Sequence, residues 1–202
     1  MDWLIRIIIV NAALATPTED LVRDACREFD QKYGDVEEAL TELFNQYPGN
    51  RDLRHILLKV VTLNSLYSTQ ILAVMDMASH ILALGIDSAL AVGSPEIVNE
   101  IALVTITATR KQRNNYSFAT KYCNWHRPGL YPIWDFRVDT YLRSLLKQNS
   151  LPGFVRADLK DYPTFVEVMI AFRNRYHLSS FTFKEIDKFL WSYGEERRPA
   201  RI

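Results

Sequence analysis

The sequence predicts an all-α protein, a single-domain bundle of about nine helices. Apolar residues recur at three- and four-residue spacing through most of the chain. Proline, glycine and serine signals divide this pattern into segments of helical length. A chain of 202 residues that is 48% hydrophobic can bury one continuous core. Because no repeat or composition shift marks a linker, we expect residues 1–202 to form one domain.

Residues 1–16 are predicted to be an extension of this domain. The stretch 3–10 is strongly apolar, but the acidic start Met1-Asp2 and the interruption by Arg6 argue against a secretory signal. Residues 4–10 are the only strand candidate. A lone strand has no partner for its backbone, so the structure of this stretch stays open.

Two short helices are predicted before the core. Thr18 with Glu19 and Asp20 is a suitable capped start for the first, and Pro48-Gly49-Asn50 breaks the chain after the second. Their apolar residues follow helical spacing, first at Leu21, Ala25, Phe29 and Tyr33, then at Val36, Leu40, Leu43, Phe44 and Tyr47.

The core helices follow. Residues 51–67 and 69–84 are mostly apolar, as in central helices, and Gly85 ends the second. Ser94-Pro95-Glu96 opens a helix that we expect to end near Arg110. Four further helices are predicted, at residues 116–125, 136–147, 163–177 and 183–193. The tail, residues 195–202, is expected to fray.

Charge and cysteine content narrow the class of protein. The 24 basic residues equal the 24 acidic ones, so any attraction to nucleic acid must be local. Cys26 and Cys123 give neither a disulfide framework nor metal-ligand spacing, which predicts a reducing, cytoplasmic location and no metal. No apolar run reaches the roughly 18 residues of a membrane span, so we predict no membrane partner.

The residues that suggest chemistry lie between positions 115 and 141. Lys121 lies on a predicted helix, a short loop bounded by Pro128 and Pro132 follows, and Asp135 stands at the expected first turn of the next helix. Such a loop should fold one helix back toward the next. We therefore expect Lys121 and Asp135 to face each other across a cleft.

This arrangement resembles the helix-hairpin-helix (HhH-GPD) DNA glycosylase superfamily, of which the chain would be a divergent member. In that family a helix with a catalytic lysine leads through a loop to a Pro-x-x-Asp-type motif with an essential aspartate. Lys121 and the aspartate of Pro132-Ile133-Trp134-Asp135 fall on those positions. The similarity covers about residues 57–146, and we expect a glycosylase-like core at residues 51–147. The family's usual hairpin glycines are absent between residues 114 and 120.

The resemblance implies base excision repair of duplex DNA, without metal or cofactor. Lys121 would attack the sugar carbon as the base leaves, and Asp135 would stabilise the developing positive charge. An extruded base would be held by Tyr122, Trp125, His126 and Trp134, with Tyr131 nearby. The DNA backbone would contact Arg110, Lys111, Arg113, Asn115, Ser117, Arg127 and Arg137. From position 110 to position 147 the chain has eight basic residues against two acidic ones.

Other interpretations fit the same residues. Asp135 also suits a helix N-cap, and the aromatic residues also suit a core. A non-catalytic helical nucleic-acid-binding or regulatory module is one alternative function, and a protein-interaction scaffold of a defence or toxin system is another. The sequence does not predict the base recognised, strand cleavage or the oligomeric state.

Overall fold

The computed structural model of the protein describes residues 16–194. In chain order they form α1 (Glu19–Gln46), α2 (Leu53–Tyr67), α3 (Val74–Leu84), α4 (Asp87–Val92), α5 (Glu96–Ala102), β1 (Leu103–Ile106), β2 (Lys111–Asn114), α6 (Tyr116–His126), α7 (Phe136–Lys147), a 3-10 helix (Arg156–Lys160), α8 (Tyr162–Arg175) and α9 (Phe183–Tyr193). The predicted all-α class is thereby confirmed. The strand candidate 4–10 and the tail 195–202 lie outside the described residues. Within positions 16–194 no helix is both long enough and apolar enough to cross a lipid bilayer.

The prediction of two short helices before the core was wrong, because α1 is one continuous helix of 28 residues. Its start is as predicted, since the Thr18 side chain accepts a hydrogen bond from the Leu21 amide. Gly34, in the middle, costs only about 1 kcal/mol relative to alanine in a helix. Packing of α1 along α9 therefore suffices to keep the helix unbroken.

The helix predicted from Ser94 to near Arg110 is also corrected. It ends at Ala102, and the chain continues as an antiparallel hairpin of β1 and β2. The β-branched run at residues 104–107 favours a strand over a helix. Asp76 on α3 holds the hairpin in place, because its carboxylate accepts hydrogen bonds from the amide and the hydroxyl of Thr107, at 3.0 and 2.7 Å.

The centre of the fold is α6. Nine of its 11 residues are buried, and α1, α2 and α5 pack around it. The helix α9 packs on α1 and on α7, so that the first and last described helices form a wall beside α6. At Gly194 a Cβ atom would collide with the backbone carbonyl of Arg137, which shows how closely the end of α9 approaches the start of α7.

A buried lysine joins the α1–α2 loop to the centre. Lys59 has no exposed surface, and its Nζ donates hydrogen bonds to the carbonyls of Tyr47 and Gly49 and to the side-chain oxygen of Asn50, at 3.1, 3.0 and 2.8 Å. Its Nζ lies 3.2 Å from Nε2 of His126. Burial lowers the pKa of Lys59 to about 8. Burial, reinforced by the charge of Lys59, lowers the pKa of His126 to about 3. The imidazole of His126 is therefore neutral.

Candidate active site

Lys121 and Asp135 meet where α6 approaches the start of α7. The Nζ atom of Lys121 lies 3.5 Å from Oδ2 of Asp135, and it donates a hydrogen bond of 2.9 Å to the hydroxyl of Ser117, one helical turn earlier. The Lys121 side chain is 96% buried and that of Asp135 is 82% buried. The two groups thus lie close together, as the proline-bounded loop predicted, but they contact each other directly in a mostly water-shielded position instead of facing each other across a cleft.

Each oxygen of the Asp135 carboxylate has a separate role. Oδ1 caps α7 by accepting hydrogen bonds from the amides of Arg137 and Val138, at 2.9 and 3.1 Å, while Oδ2 faces Lys121. The preceding loop is fixed to α6, because the Thr120 hydroxyl bonds to both the amide and the carbonyl of Trp134, each at 3.1 Å. The helix cap and the loop therefore set the position of the charged oxygen.

The pair opens into a cleft of about 320 Å³, a volume within the range of small-ligand sites. Helices α1, α2, α6, α7 and α9 supply its walls. Its aromatic residues are Phe29, Tyr33, Tyr67 and Trp191, and its charged residues are Glu37, Lys121, Asp135, Arg137, Lys184, Asp187 and Lys188. A cleft with this lining suits a flat ring that carries polar groups at its edge.

Trp191 is the fixed aromatic residue of the cleft. Its ring contacts Phe29 and Tyr33 edge to face, with centroids 5.5 and 5.4 Å apart. The guanidinium carbon of Arg137 lies 3.7 Å from the centre of the Trp191 ring, and Nη1 of Arg137 donates to the Trp191 carbonyl at 3.2 Å. These contacts hold the indole ring from α1 and from α7.

The acidic groups of the cleft differ in their partners. Glu37 pairs with Lys184 and Lys188, at 3.0 and 3.7 Å. Asp187 lies on the cleft wall, yet its Oδ1 is inaccessible to solvent and has no hydrogen-bond partner. Burial, followed by the negative charge of Asp135, raises the pKa of Asp187 to about 7. An unpartnered buried group costs about 1–3 kcal/mol, and such a cost in a cleft is typical of functional residues.

A comparison with known proteins places the chain in a family. The family model HI_0787_N, described as an N-terminal domain, matches residues 21–130. The chain belongs to this family. An uncharacterized protein of Haemophilus influenzae is 41% identical over 137 residues, which covers 67% of this chain and 64% of the relative. The match thus spans less than two thirds of the relative's length, and no solved structure matches.

The region that matches the family model includes only part of the cleft lining. Lys121 and the α1 residues Phe29 and Tyr33 lie within positions 21–130, whereas Asp135, Asp187 and Trp191 lie beyond them. The HI_0787_N region therefore contributes the lysine and part of the aromatic wall. The rest of the cleft comes from the C-terminal part of this chain.

The residues predicted to hold an extruded base need correction, since none of them lines the cleft. The Tyr122 side chain is fully buried, with its hydroxyl donating to Asn50 at 2.6 Å. Trp125 is 9% exposed, and its indole nitrogen donates to the Tyr67 hydroxyl at 3.1 Å. These two rings belong to the core, because a helix directs successive side chains about 100° apart and only part of α6 faces the cleft.

The other predicted base-binding residues lie elsewhere. His126 contacts Lys59 and lines a separate groove of about 360 Å³, together with Arg127. Trp134 has the Nζ of Lys160 3.3 Å above its ring and lines a depression of about 410 Å³ at the start of α6. Tyr131 is buried, and its hydroxyl donates to a backbone carbonyl of the α4–α5 region. The aromatic walls of the cleft come instead mainly from α1 and α9.

The sequence contains a signal for these walls. Phe29 and Tyr33 are four residues apart, as are Asp187 and Trp191, so each pair lies on one face of its helix. The charged residues of α9 that line the cleft lie on the same face of the helix as Trp191, whereas its apolar residues lie on the face toward the core. A face of this composition indicates a polar cavity, whereas the sequence predicted only a helix at residues 183–193.

The predicted DNA-backbone residues fall into three groups. Arg110, Lys111 and Arg113 are exposed on the hairpin, and Asn115 stands at the start of α6 without a side-chain cap bond. Arg127 is exposed at the other end of that helix. The remaining two have structural partners, since Ser117 accepts from Lys121 and Arg137 stacks on Trp191. Among residues 16–194 no group of three or more His, Cys, Asp or Glu side chains is arranged to hold a metal ion.

Proposed function

We propose that this protein is a DNA glycosylase-like enzyme that binds duplex DNA and excises a modified or damaged base. The observation that carries the proposal is the contact of Lys121 with Asp135 at the wall of an aromatic cleft. A base must leave the duplex before an enzyme can act on its glycosidic bond. The cleft has a size and lining that suit one extruded base.

The chemistry follows from the pair. Asp135 is placed to take a proton from the ammonium group of Lys121. The resulting neutral amine attacks the anomeric sugar carbon. The new C–N bond forms as the glycosidic bond breaks, and the electron pair leaves with the base, which then takes up a proton. Once Asp135 has passed this proton to the departing base, its carboxylate stabilises the positive charge on the sugar. The nitrogen then loses a proton and its electron pair opens the sugar ring by breaking the bond between the anomeric carbon and the ring oxygen, which takes up a proton. The product on the enzyme is a Schiff base, which water hydrolyses to release Lys121.

The exposed basic residues of the hairpin support DNA binding. Arg110, Lys111 and Arg113 project from the turn and from β2, directly before α6. The depression at the start of α6 adds Lys160 and the uncapped first turn of that helix. Backbone amides at a helix N-terminus and nearby cations are both suited to phosphate. The backbone of the duplex would therefore run along the hairpin, beside the helix that carries Lys121.

Borohydride trapping tests the enzyme directly. The wild-type protein, incubated with a panel of duplexes that each carry a different modified base, is expected to give a covalent adduct with at least one of them, because borohydride reduces the Schiff base. Lys121→Gln should give none, while Lys147→Gln, which alters an exposed lysine outside the cleft and the hairpin, should still be trapped. A cross-link that persists in Lys121→Gln would refute the assigned nucleophile.

Neutralising Arg110, Lys111 and Arg113 together, each to Gln, should weaken duplex binding and flatten its salt dependence. Each lost phosphate contact reduces the slope of log K against log salt by about 0.9. The matched control neutralises Arg51, Arg54 and Arg175, which are equally exposed but lie outside the hairpin. Fluorescence anisotropy at several salt concentrations measures both slopes. Equal slopes in the two triple variants would exclude the hairpin as a DNA contact.

A non-catalytic nucleic-acid-binding module is the second candidate. Its support is the bonding of Lys121, whose Nζ already contacts Ser117 and Asp135 and so also has a structural role. This module would bind duplex DNA with the salt dependence described above. It would give no borohydride adduct with any duplex of the panel, which separates it from the enzyme.

A further inference from the structure

A leucine on the loop between α2 and α3 is almost fully exposed to solvent. The side chain of Leu72 is 97% exposed, whereas that of its neighbour Ile71 is buried in the core. Single exposed leucines are common on protein surfaces, so exposure alone does not indicate a function. The conformation of the loop and its position beside the cleft distinguish this residue from the others.

The loop holds Leu72 in a fixed position. The side chain of Asn64, near the end of α2, donates to the carbonyl of Ile71 and accepts from its amide, each at 2.9 Å. Ser68 and Gln70 have left-handed backbone conformations, with φ of 50° and 61°, which are unfavourable for residues other than glycine. The bonds to Asn64 and the burial of Ile71 therefore maintain a strained loop that directs Leu72 into solvent.

This loop lies between the two surfaces proposed to contact DNA. Ser68, at its start, lines the cleft, and Thr69 lines the depression at the start of α6. The same depression contains Lys160 and the first turn of α6, which are suited to a phosphate. With a base in the cleft and its backbone along the depression, the position that the base has left in the stack would be next to the loop.

We propose that Leu72 enters the duplex when a base is extruded and fills the space that the base leaves in the stack. This inference rests on the proposed function, since it requires a base in the cleft. An apolar side chain inserted between base steps unstacks them, and the leucine in turn is removed from water. The rigid loop favours insertion, because little conformational entropy remains to be lost on binding.

Binding to a duplex with an abasic position tests the inference without requiring excision. A stable abasic-site analogue supplies the empty position, and a fluorescent purine beside it reports unstacking, since stacking on neighbouring bases quenches its emission. We expect the wild-type chain to raise this fluorescence. Leu72→Ala should lose the rise and bind the abasic duplex about tenfold more weakly, while its affinity for an undamaged duplex stays unchanged.

Two further variants serve as controls. Leu72→Met keeps an apolar side chain of similar length and should retain the fluorescence rise. Val92→Ala shortens a side chain that is 80% exposed on α4, outside the cleft and the depression, and should match the wild type. Because Leu72 is so exposed, Leu72→Ala should melt at the wild-type temperature.

A wild-type response in Leu72→Ala, or no fluorescence rise with the wild type, would overturn the inference. Borohydride trapping together with an unchanged response in Leu72→Ala would remove this inference alone. A response that depends on Leu72, without trapping on any duplex of the panel, would remove only the enzymatic proposal.

Discussion

Replacing Asp135 by Asn is expected to slow base excision by about 10²–10³-fold, while the fold and duplex binding persist. The loss follows from removing a negative charge that faces the reacting sugar in a water-shielded site. Asn is as good an N-cap as Asp, so Oδ1 can still accept from the amides of Arg137 and Val138. The free energy of unfolding should therefore change by about 1 kcal/mol at most.

Single-turnover excision, thermal melting and duplex affinity are measured on the same preparations. Asp161→Asn is the matched control, because Asp161 caps α8 in the same way but lies outside the cleft. It should excise at the wild-type rate. Normal excision by Asp135→Asn would refute the assigned role, and a variant that is inactive because it unfolds would leave Asp135 with a capping role only.

Lys59→Met is expected to give the largest loss of stability, about 3 kcal/mol in the free energy of unfolding. Methionine fills a similar volume, but it leaves the carbonyls of Tyr47 and Gly49 without this donor and removes one of the two donors to Oδ1 of Asn50. Each buried acceptor that loses its partner costs about 1 kcal/mol or more. Urea denaturation measures the effect, with exposed Lys147→Met as the control that should show little change.

The effect of Lys59→Met should also depend on pH. Burial lowers the pKa of Lys59 to about 8 in the folded protein, below the ordinary lysine value of about 10.4. Between these values the unfolded chain binds more protons than the folded one, so the wild type gains stability as the pH rises. The difference in stability between wild type and Lys59→Met should therefore widen from pH 8 to pH 10. A difference that is constant across this range would show that the pKa of Lys59 is not lowered in the folded protein.

The fold was largely predictable because most helices depend on local signals. Gly85 ends α3 in a left-handed conformation, and Thr18 caps α1, as the sequence indicated. The failures occurred where tertiary contacts outweighed local preference. Packing against α9 keeps α1 helical at Gly34, and hydrogen bonds to Asp76 help residues 103–114 to form a hairpin instead of a helix. Neither partner is close in sequence to the segment that it changes.

The site was predictable only in part, for a similar reason. Lys121 and Asp135 are joined by a short loop, so their proximity followed from the loop's proline residues. The aromatic residues of that segment were visible too, but periodicity does not show which of them the core would bury, as it does Tyr122. Trp191 and Phe29 meet through the packing of the first described helix on the last, and no local pattern predicts that contact.

The wall formed by α1 and α9 determines when the cleft exists during synthesis. A nascent chain acquires Lys121 and Asp135 well before Trp191 emerges. Contacts between segments so far apart form late, because closing the intervening loop costs entropy. Until α9 docks on α1, Lys121 and Asp135 lack the wall of the cleft that carries Asp187 and Trp191. A partly folded chain should therefore lack a complete cleft, and the cleft should be completed in the last step of folding.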